Sequence, residues 1–307
     1  MRVAAIDCGT NSIRLLVADV VGGRLVDVDR RMEVVRLGEG VDRTGRISDA
    51  ALSRTFDACR RYADVISSLA AQRIRFVATS ASRDASNAAE FTLGVRDILG
   101  VAPEVVSGLV EADLSFLGAS RSLPDLPLPA LVVDIGGGST EFVVGARHAA
   151  QAVSVDIGCV RLTERYVRSD PPSGHELTSI VRDADALIAE AAKQVDFASA
   201  HCLVGLAGTV TTMSAIALGL PAYDADLIHG SVMTARQVHE VAEQLSGMSR
   251  QERLAMPVMH PGRADVIPAG ALILDRIVSA CGAAEVIVSE HDILDGIAWS
   301  LADRPTT

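Results

Sequence analysis

The sequence predicts an α/β protein of two similar units, and three observations lead there. An apolar run, an aspartate, a loop of glycine and hydroxyl residues and a second apolar run occur twice: Val3–Ile6, Asp7-Cys8-Gly9-Thr10-Asn11-Ser12, then Ile13–Val17; and Leu131–Val133, Asp134-Ile135-Gly136-Gly137-Gly138-Ser139-Thr140-Glu141, then Phe142–Val144. Each occurrence opens a stretch in which three strands precede alternating helices and strands. Between them lies Ser122–Pro129, with three prolines in six positions, the natural place for a boundary. The units expected are 1–123 and 124–307, each a mixed five-stranded sheet with flanking helices. A chain of 307 residues is long for one core and comfortable for two.

In the first unit, strands are expected near 2–8, 13–20 and 25–36. A helix follows near 48–71, because Leu52, Phe56, Cys59, Ala63, Ile66 and Ala70 step by fours and threes along one face. A strand at 75–79, a helix near 84–98, a short strand at 104–107 and a helix near 109–120 complete the unit. The second unit restarts with strands near 130–134, 140–145 and 150–157. Ser173-Gly174-His175-Glu176 and Thr234-Ala235-Arg236-Gln237 are capping-box patterns, each opening a helix. Phe197–Tyr223 has no Asp, Glu, Lys or Arg, but its Gly205, Gly208, Gly219 and Pro221 make it a strand, a turn and a helix and not a membrane span. A strand at 285–289 and a helix over 292–301 close the chain.

Composition narrows the function classes. Asp7 and the loop after it interrupt the opening strand, so no secretory signal is expected, and the location predicted is cytoplasmic. Five scattered cysteines without a Cys-x-x-Cys pair read as reduced, mostly buried thiols, and seven histidines without close spacing give no zinc site. A net charge of −11 disfavours nucleic acid. It does not exclude a phosphate substrate, since screening beyond about 8–10 Å leaves local donors and a bound metal to decide affinity.

The two loops carry the chemistry. Glycines let the backbone approach a ligand, and successive N–H groups can converge on an anion. Gly9, Thr10, Asn11 and Ser12 in the first loop, and Gly136, Gly137, Gly138, Ser139 and Thr140 in the second, are the phosphate-binding candidates. Asp7 and Asp134, at strand ends, are candidates to hold Mg²⁺ or Mn²⁺ directly or through water.

This pair of loops resembles that of the actin-like, sugar-kinase and heat-shock ATPase superfamily. Within it, the chain is similar to the exopolyphosphatase and guanosine-pentaphosphate phosphohydrolase (Ppx/GppA) family in its short form. Further matches stand in order: Ala78–Asn87, Ser107-Gly108-Leu109-Val110-Glu111-Ala112, Ala207-Gly208-Thr209, Arg263–Ala271 and Ser289–Ile297. The resemblance implies two actin-like (ribonuclease H-like) domains facing across a cleft. It also implies release of terminal orthophosphate from polyphosphate or of the 5′ γ-phosphate of pppGpp, with Mg²⁺. It puts Glu111 in the role of water-activating base, although a first-turn acid is also favoured by the helix dipole alone. Glu141 is a second catalytic or metal candidate, or else a surface acid on a strand. Arg83 is a catalytic phosphate clamp, or else a salt-bridge partner. Gly208 and Thr209 would contact a nucleotide base or distal phosphates, or form a plain strand-to-helix turn, and Arg263 would contact the substrate chain. The chain departs from the family beside Glu111: relatives usually show Glu-Glu-Ala-Arg where this sequence has Val110-Glu111-Ala112-Asp113. The partners expected are the substrate and a second copy of the chain in a homodimer, with no nucleic acid and no membrane. A small-molecule kinase of the same superfamily and a nucleotide-binding scaffold are the competing readings.

Overall fold

The computed structural model describes residues 1–303 and divides into two compact units, Met1–Gly118 with the chain end from Ile293, and Ala119–Asp292. The first unit runs β1 (Arg2–Cys8), β2 (Ser12–Val21), β3 (Arg24–Val34), α1 (Val41–Thr44), α2 (Asp49–Ser68), β4 (Arg73–Ala78), α3 (Ser80–Asp84), α4 (Ala88–Leu99), β5 (Glu104–Val105) and the start of α5 (Gly108–Ser122). The second holds β6 (Ala130–Ile135), β7 (Thr140–Gly145), β8 (Ala149–Val155), α6 (Cys159–Tyr166), α7 (Gly174–Ala191), β9 (Cys202–Leu206), α8 (Ala207–Ala217), α9 (Ala225–Ile228), β10 (Val232–Thr234), α10 (Ala235–Gly247), α11 (Arg250–Leu254), α12 (Ile267–Cys281) and β11 (Glu285–Val288). The chain then returns to the first unit in α13 (Ile293–Asp303).

The first sheet has the order β3-β2-β1-β4-β5 and the second β10-β11-β9-β6-β7-β8. In each, three antiparallel strands are followed by parallel neighbours reached through helices. The second sheet therefore has six strands where five were expected. The addition is β10, three residues antiparallel to β11, too short to leave a period-2 pattern in the sequence. Both expected capping boxes are present at α7 and α10. The helix expected to reach residue 71 stops at Ser68, where Ala70 is exposed and takes a left-handed φ of 53°.

The central strand β1 shows why the sheet is covered on both faces. Ala4, Ile6 and Cys8 pack with α2 and α4 residues such as Leu52, Tyr62 and Phe91. The alternate residues Val3 and Ala5 face Ile293, Leu294, Ile297, Ala298 and Leu301 of α13, as the period of two requires. This corrects the expected division. The closing helix does not belong with 124–307, because the first sheet needs it to cover an apolar face; residues 304–307 of that expected unit lie outside the described residues. The break also falls within α5, at 118/119, and not in the proline-rich stretch, because α5 continues to Ser122.

Polar bonds fasten α13 as well. Arg30 Nη2 donates to the buried Asp295 at 2.5 Å, and Arg75 Nη1 donates to Ser300 Oγ at 2.6 Å. Burial alone would lower the Arg30 pKa, but Asp295, then Asp27, outweigh it and raise it. No helix among the described residues is long and apolar enough to cross a membrane. At Gly296 a β-carbon would lie 1.9 Å from Leu114 O, so Gly296→Ala must push α13 off α5. We expect a cost of about 1–3 kcal/mol, read as a melting temperature several degrees lower; an unchanged melting temperature would show that the two helices separate freely.

Candidate active site

In each unit, parallel register gathers the singled-out residues at the carboxyl edge of the sheet, where α/β sheets place their ligands. In the first, Cys8 pairs with Ala78 and Ala78 with Val105. The loop after β1, the segment Thr79–Arg83 after β4 and the start of α5 after β5 therefore lie side by side. In the second, Asp134 of β6 pairs with Leu206 of β9, and Gly205 with Val288 of β11. That aligns the triple-glycine loop, Ala207–Thr209 and Ser289–Asp292.

The first loop is a tight turn closed by Gly9 N–H donating to Ser12 O at 3.0 Å. A segment beyond β3 holds it from behind: Gly38 N–H donates to Thr10 O (2.9 Å), and Val35 and Arg36 N–H donate to Asn11 O (3.1 and 2.8 Å). The Thr10 hydroxyl bonds the buried Ser80 hydroxyl at 2.7 Å. At Gly38 a β-carbon would sit 2.3 Å from the Thr10 methyl, so only glycine lets this support come so close; at Gly9 a β-carbon would meet ordinary contacts at 3.8 Å. The protein's own packing thus requires Gly38 but not Gly9.

The second loop is built alike. Gly136 N–H donates to Ser139 O at 3.0 Å, and the N-terminus of α6 backs the turn. Cys159 N–H donates to Gly136 O (3.1 Å), while Val160 and Arg161 N–H donate to Gly137 O (2.9 and 3.0 Å). Arg161 Nε donates to Gly138 O at 2.7 Å. In a planar trans peptide, C=O and the following N–H point opposite ways. With the carbonyls of 136–138 turned to α6, the amides of Gly137, Gly138 and Ser139 face away from it. The close approach depends on Gly158, where a β-carbon would stand 2.4 Å from Gly137 C and O. Thr140 does not extend the array by its hydroxyl, which is buried and donates to Ile157 O at 2.7 Å.

The acidic groups have distinct settings. Asp7 faces Arg14 across β1–β2, and Arg14 Nε and Nη2 both donate to Asp7 Oδ2, at 3.0 and 2.6 Å. Asp134 faces Glu141 across β6–β7; both are buried, and Ser154 Oγ donates to Glu141 Oε1 at 2.7 Å. Glu111 stands in the first turn of α5, buried, with Oε2 accepting from Arg83 Nη1 at 3.1 Å. Arg83 Nη1 also donates to Val106 O at 3.0 Å. Arg83 is therefore partner to Glu111 as well as a candidate clamp.

Arg263 lies on Gly208: a β-carbon there would be 2.3 Å from the guanidinium carbon, and Arg263 Nη1 donates to Thr212 Oγ1 at 3.3 Å. Ala207, which opens α8, takes a φ of 66°. Thr209 is buried beside Gly270, and its side chain hydrogen-bonds with the Cys159 thiol. Burial pushes the Cys159 thiol up to about 11 and the Cys8 thiol well above its usual range. Both thiols are buried, the setting of structural cysteines. Sequence reasoning missed Gly38, Arg14, Gly158 and Arg161. Gly38, Gly158 and Arg161 leave no local signal, because what matters is the distant segment each one touches, and Arg14 is one more charged residue on a strand.

Two α/β units, each carrying an aspartate-ended strand and a glycine turn at its carboxyl edge, define a protein of the phosphate-handling type with a duplicated fold. The chain belongs to the Ppx/GppA phosphatase family, whose model matches residues 16–304. It is 48% identical over 314 aligned positions to exopolyphosphatase 2 of Mycobacterium tuberculosis, covering 98% of each chain. Among solved structures, an exopolyphosphatase-like protein matches with a TM-score of 0.95 at 43% identity, over 98% of this chain and 97% of that one. The Ppx/GppA family member from Aquifex aeolicus matches with a TM-score of 0.83 at 31% identity, over 100% and 99%.

The two glycines predict opposite outcomes. Gly158→Ala must displace Gly137 and Gly138, so we expect a crystal structure of that variant to show the second loop moved away from α6. Gly9→Ala, with room for its methyl, should leave the first loop in place. An unmoved second loop in Gly158→Ala would refute the backing role of α6.

Proposed function

We propose that the chain is an exopolyphosphatase, hydrolysing the terminal phosphoanhydride of inorganic polyphosphate to release orthophosphate. The observation that carries this reading is the second loop, whose carbonyls are bound by α6 so that its amides face away as an anion-binding array. The 48% identity to a mycobacterial exopolyphosphatase supports the same substrate. Water attacks the terminal phosphorus, the bond to the bridging oxygen breaks, and a chain one phosphate shorter leaves. Glu111 takes the proton of the attacking water, oriented by Arg83. Transfer through a loose transition state asks little base strength and much positioning, which suits a carboxylate fixed in a helix turn. The residue before it in the sequence is the exposed, apolar Val110, so that position supplies no second carboxylate. Removal of the 5′ γ-phosphate from pppGpp breaks the same kind of bond and is the finer alternative. A cytoplasmic location and a homodimer complete the proposal.

The donor chemistry fits Mg²⁺ or Mn²⁺. Asp134 and Glu141 are buried carboxylates directly opposite each other, where like charges repel and a hard cation would relieve the repulsion. No group of three or more His, Cys, Asp or Glu side chains able to hold a metal occurs among the described residues. A site of one or two carboxylates completed by substrate phosphates is the usual arrangement for Mg²⁺. Asp7, already paired with Arg14, is the weaker donor. When bound, the ion neutralises the phosphate oxygens on which charge develops.

Phosphate release compared on short and long polyphosphate, pppGpp, ATP and GTP, without any acceptor, tests the substrate and separates hydrolase from kinase. Glu111→Gln should lower kcat about 10²–10⁴-fold with KM little changed; near-normal turnover would move the base role to Glu141. Chelation should abolish release, and Mg²⁺ or Mn²⁺ should restore it. Asp134→Asn should then raise the metal concentration needed for half-activity, and full turnover in excess EDTA would end the metal proposal.

A further inference from the structure

Most of the bonds that fix the second loop are main-chain bonds, but Arg161 adds one from its side chain. Its backbone N–H donates to Gly137 O at 3.0 Å, and its side-chain Nε donates to Gly138 O at 2.7 Å. One residue thus binds two successive peptide units of the loop from the same side. The side chain is 12% exposed, and its contact with Asp156 is long, at 3.6 Å, with that carboxylate 72% exposed.

We propose that Arg161 is a positioning residue for phosphate binding, holding the Gly138–Ser139 peptide plane so that its N–H faces the anion and placing a fixed positive charge behind the loop. The inference rests on the phosphate-binding reading of this loop. Two physical effects follow. A charge-assisted bond to Gly138 O restrains a peptide that, flanked by glycine, would otherwise rotate at little cost. The same cation polarises that peptide and makes its N–H a stronger donor, as in any chain of hydrogen bonds. Arg161 occupies the carbonyl side of the loop and the substrate the amide side, so the guanidinium acts without touching phosphate. A neutral side chain would lose both effects, whereas lysine would keep the charge and lose the Nε geometry.

The test compares Arg161→Met, Arg161→Lys and Gly137→Val with the parent enzyme on tripolyphosphate and longer polyphosphate. Arg161→Met is expected to lower kcat/KM about tenfold or more, chiefly through KM, the scale of one charge-assisted hydrogen bond. Its thermal midpoint should stay within a few degrees, and Arg161→Lys should recover part of the loss. Without substrate, the backbone amide resonances of Gly138 and Ser139 should shift in Arg161→Met. Unchanged KM and kcat overturn the proposal, as does a loss that follows a lowered thermal midpoint and is not recovered by lysine. Should Arg161→Met not fold, Arg161→Lys decides: a raised KM with kcat kept sustains the proposal, and an unchanged KM overturns it. Gly137→Val separates the two levels. If it binds and turns over normally, the loop reading fails; if it is impaired while Arg161→Met is not, only the role of Arg161 fails.

Discussion

Everything at the two loops follows from the planarity of the peptide bond. A glycine-rich turn left alone has no preferred face, because its peptide planes rotate at small cost. Binding the carbonyls from one side removes that freedom and directs the amides to the other. The fold supplies this twice, with Gly38 behind Thr10 and with Gly158 behind Gly137. In both places a glycine outside the loop brings the support to a distance no side chain allows. The loop glycines are thus only half of the device.

The sheets make that support rigid. β1 and β6 are buried along nearly their whole lengths, and each lies between an antiparallel and a parallel neighbour. Their carboxyl ends, where Asp7 and Asp134 stand, are therefore fixed on both sides. On the first sheet α13 returns to cover Val3 and Ala5, together with Val106 and Leu114. The chain's closing helix is in this way a structural condition for the loop at its beginning. A net charge of −11 does not by itself oppose a polyanionic ligand, because the field of distant charges is screened beyond about 8–10 Å.

The parts of this arrangement legible in the sequence were those that leave a local mark. Asp7 to Ser12 and Asp134 to Thr140 stood out through composition, the helices through period and caps, and most strands through apolar runs. β10 escaped because Val232–Thr234 is too short for a period. The place of α13 escaped because its amphipathic pattern says that it packs, not on what. Gly38, Gly158 and Arg161 escaped for the same reason: each matters through a contact with a loop more than twenty residues away. Thr140 shows the reverse: it stands among the loop hydroxyls in the sequence, and the fold commits its hydroxyl to Ile157 O.

The two halves differ most at one equivalent position. Each strand-end aspartate faces a residue on the next strand: Arg14 for Asp7, Glu141 for Asp134. The first hairpin therefore carries its own counter-charge, whereas the second places two buried acids opposite each other. Like charges so placed destabilise a hairpin, and burial makes each charge harder to accommodate. Such a pair persists where a proton or a cation balances it. A proton would silence one acid, whereas a hard divalent ion would leave both acids as ligands and still accept phosphate oxygens. The two hairpins are thus not duplicates in charge: an arginine faces the strand-end aspartate in the first, and a glutamate faces it in the second.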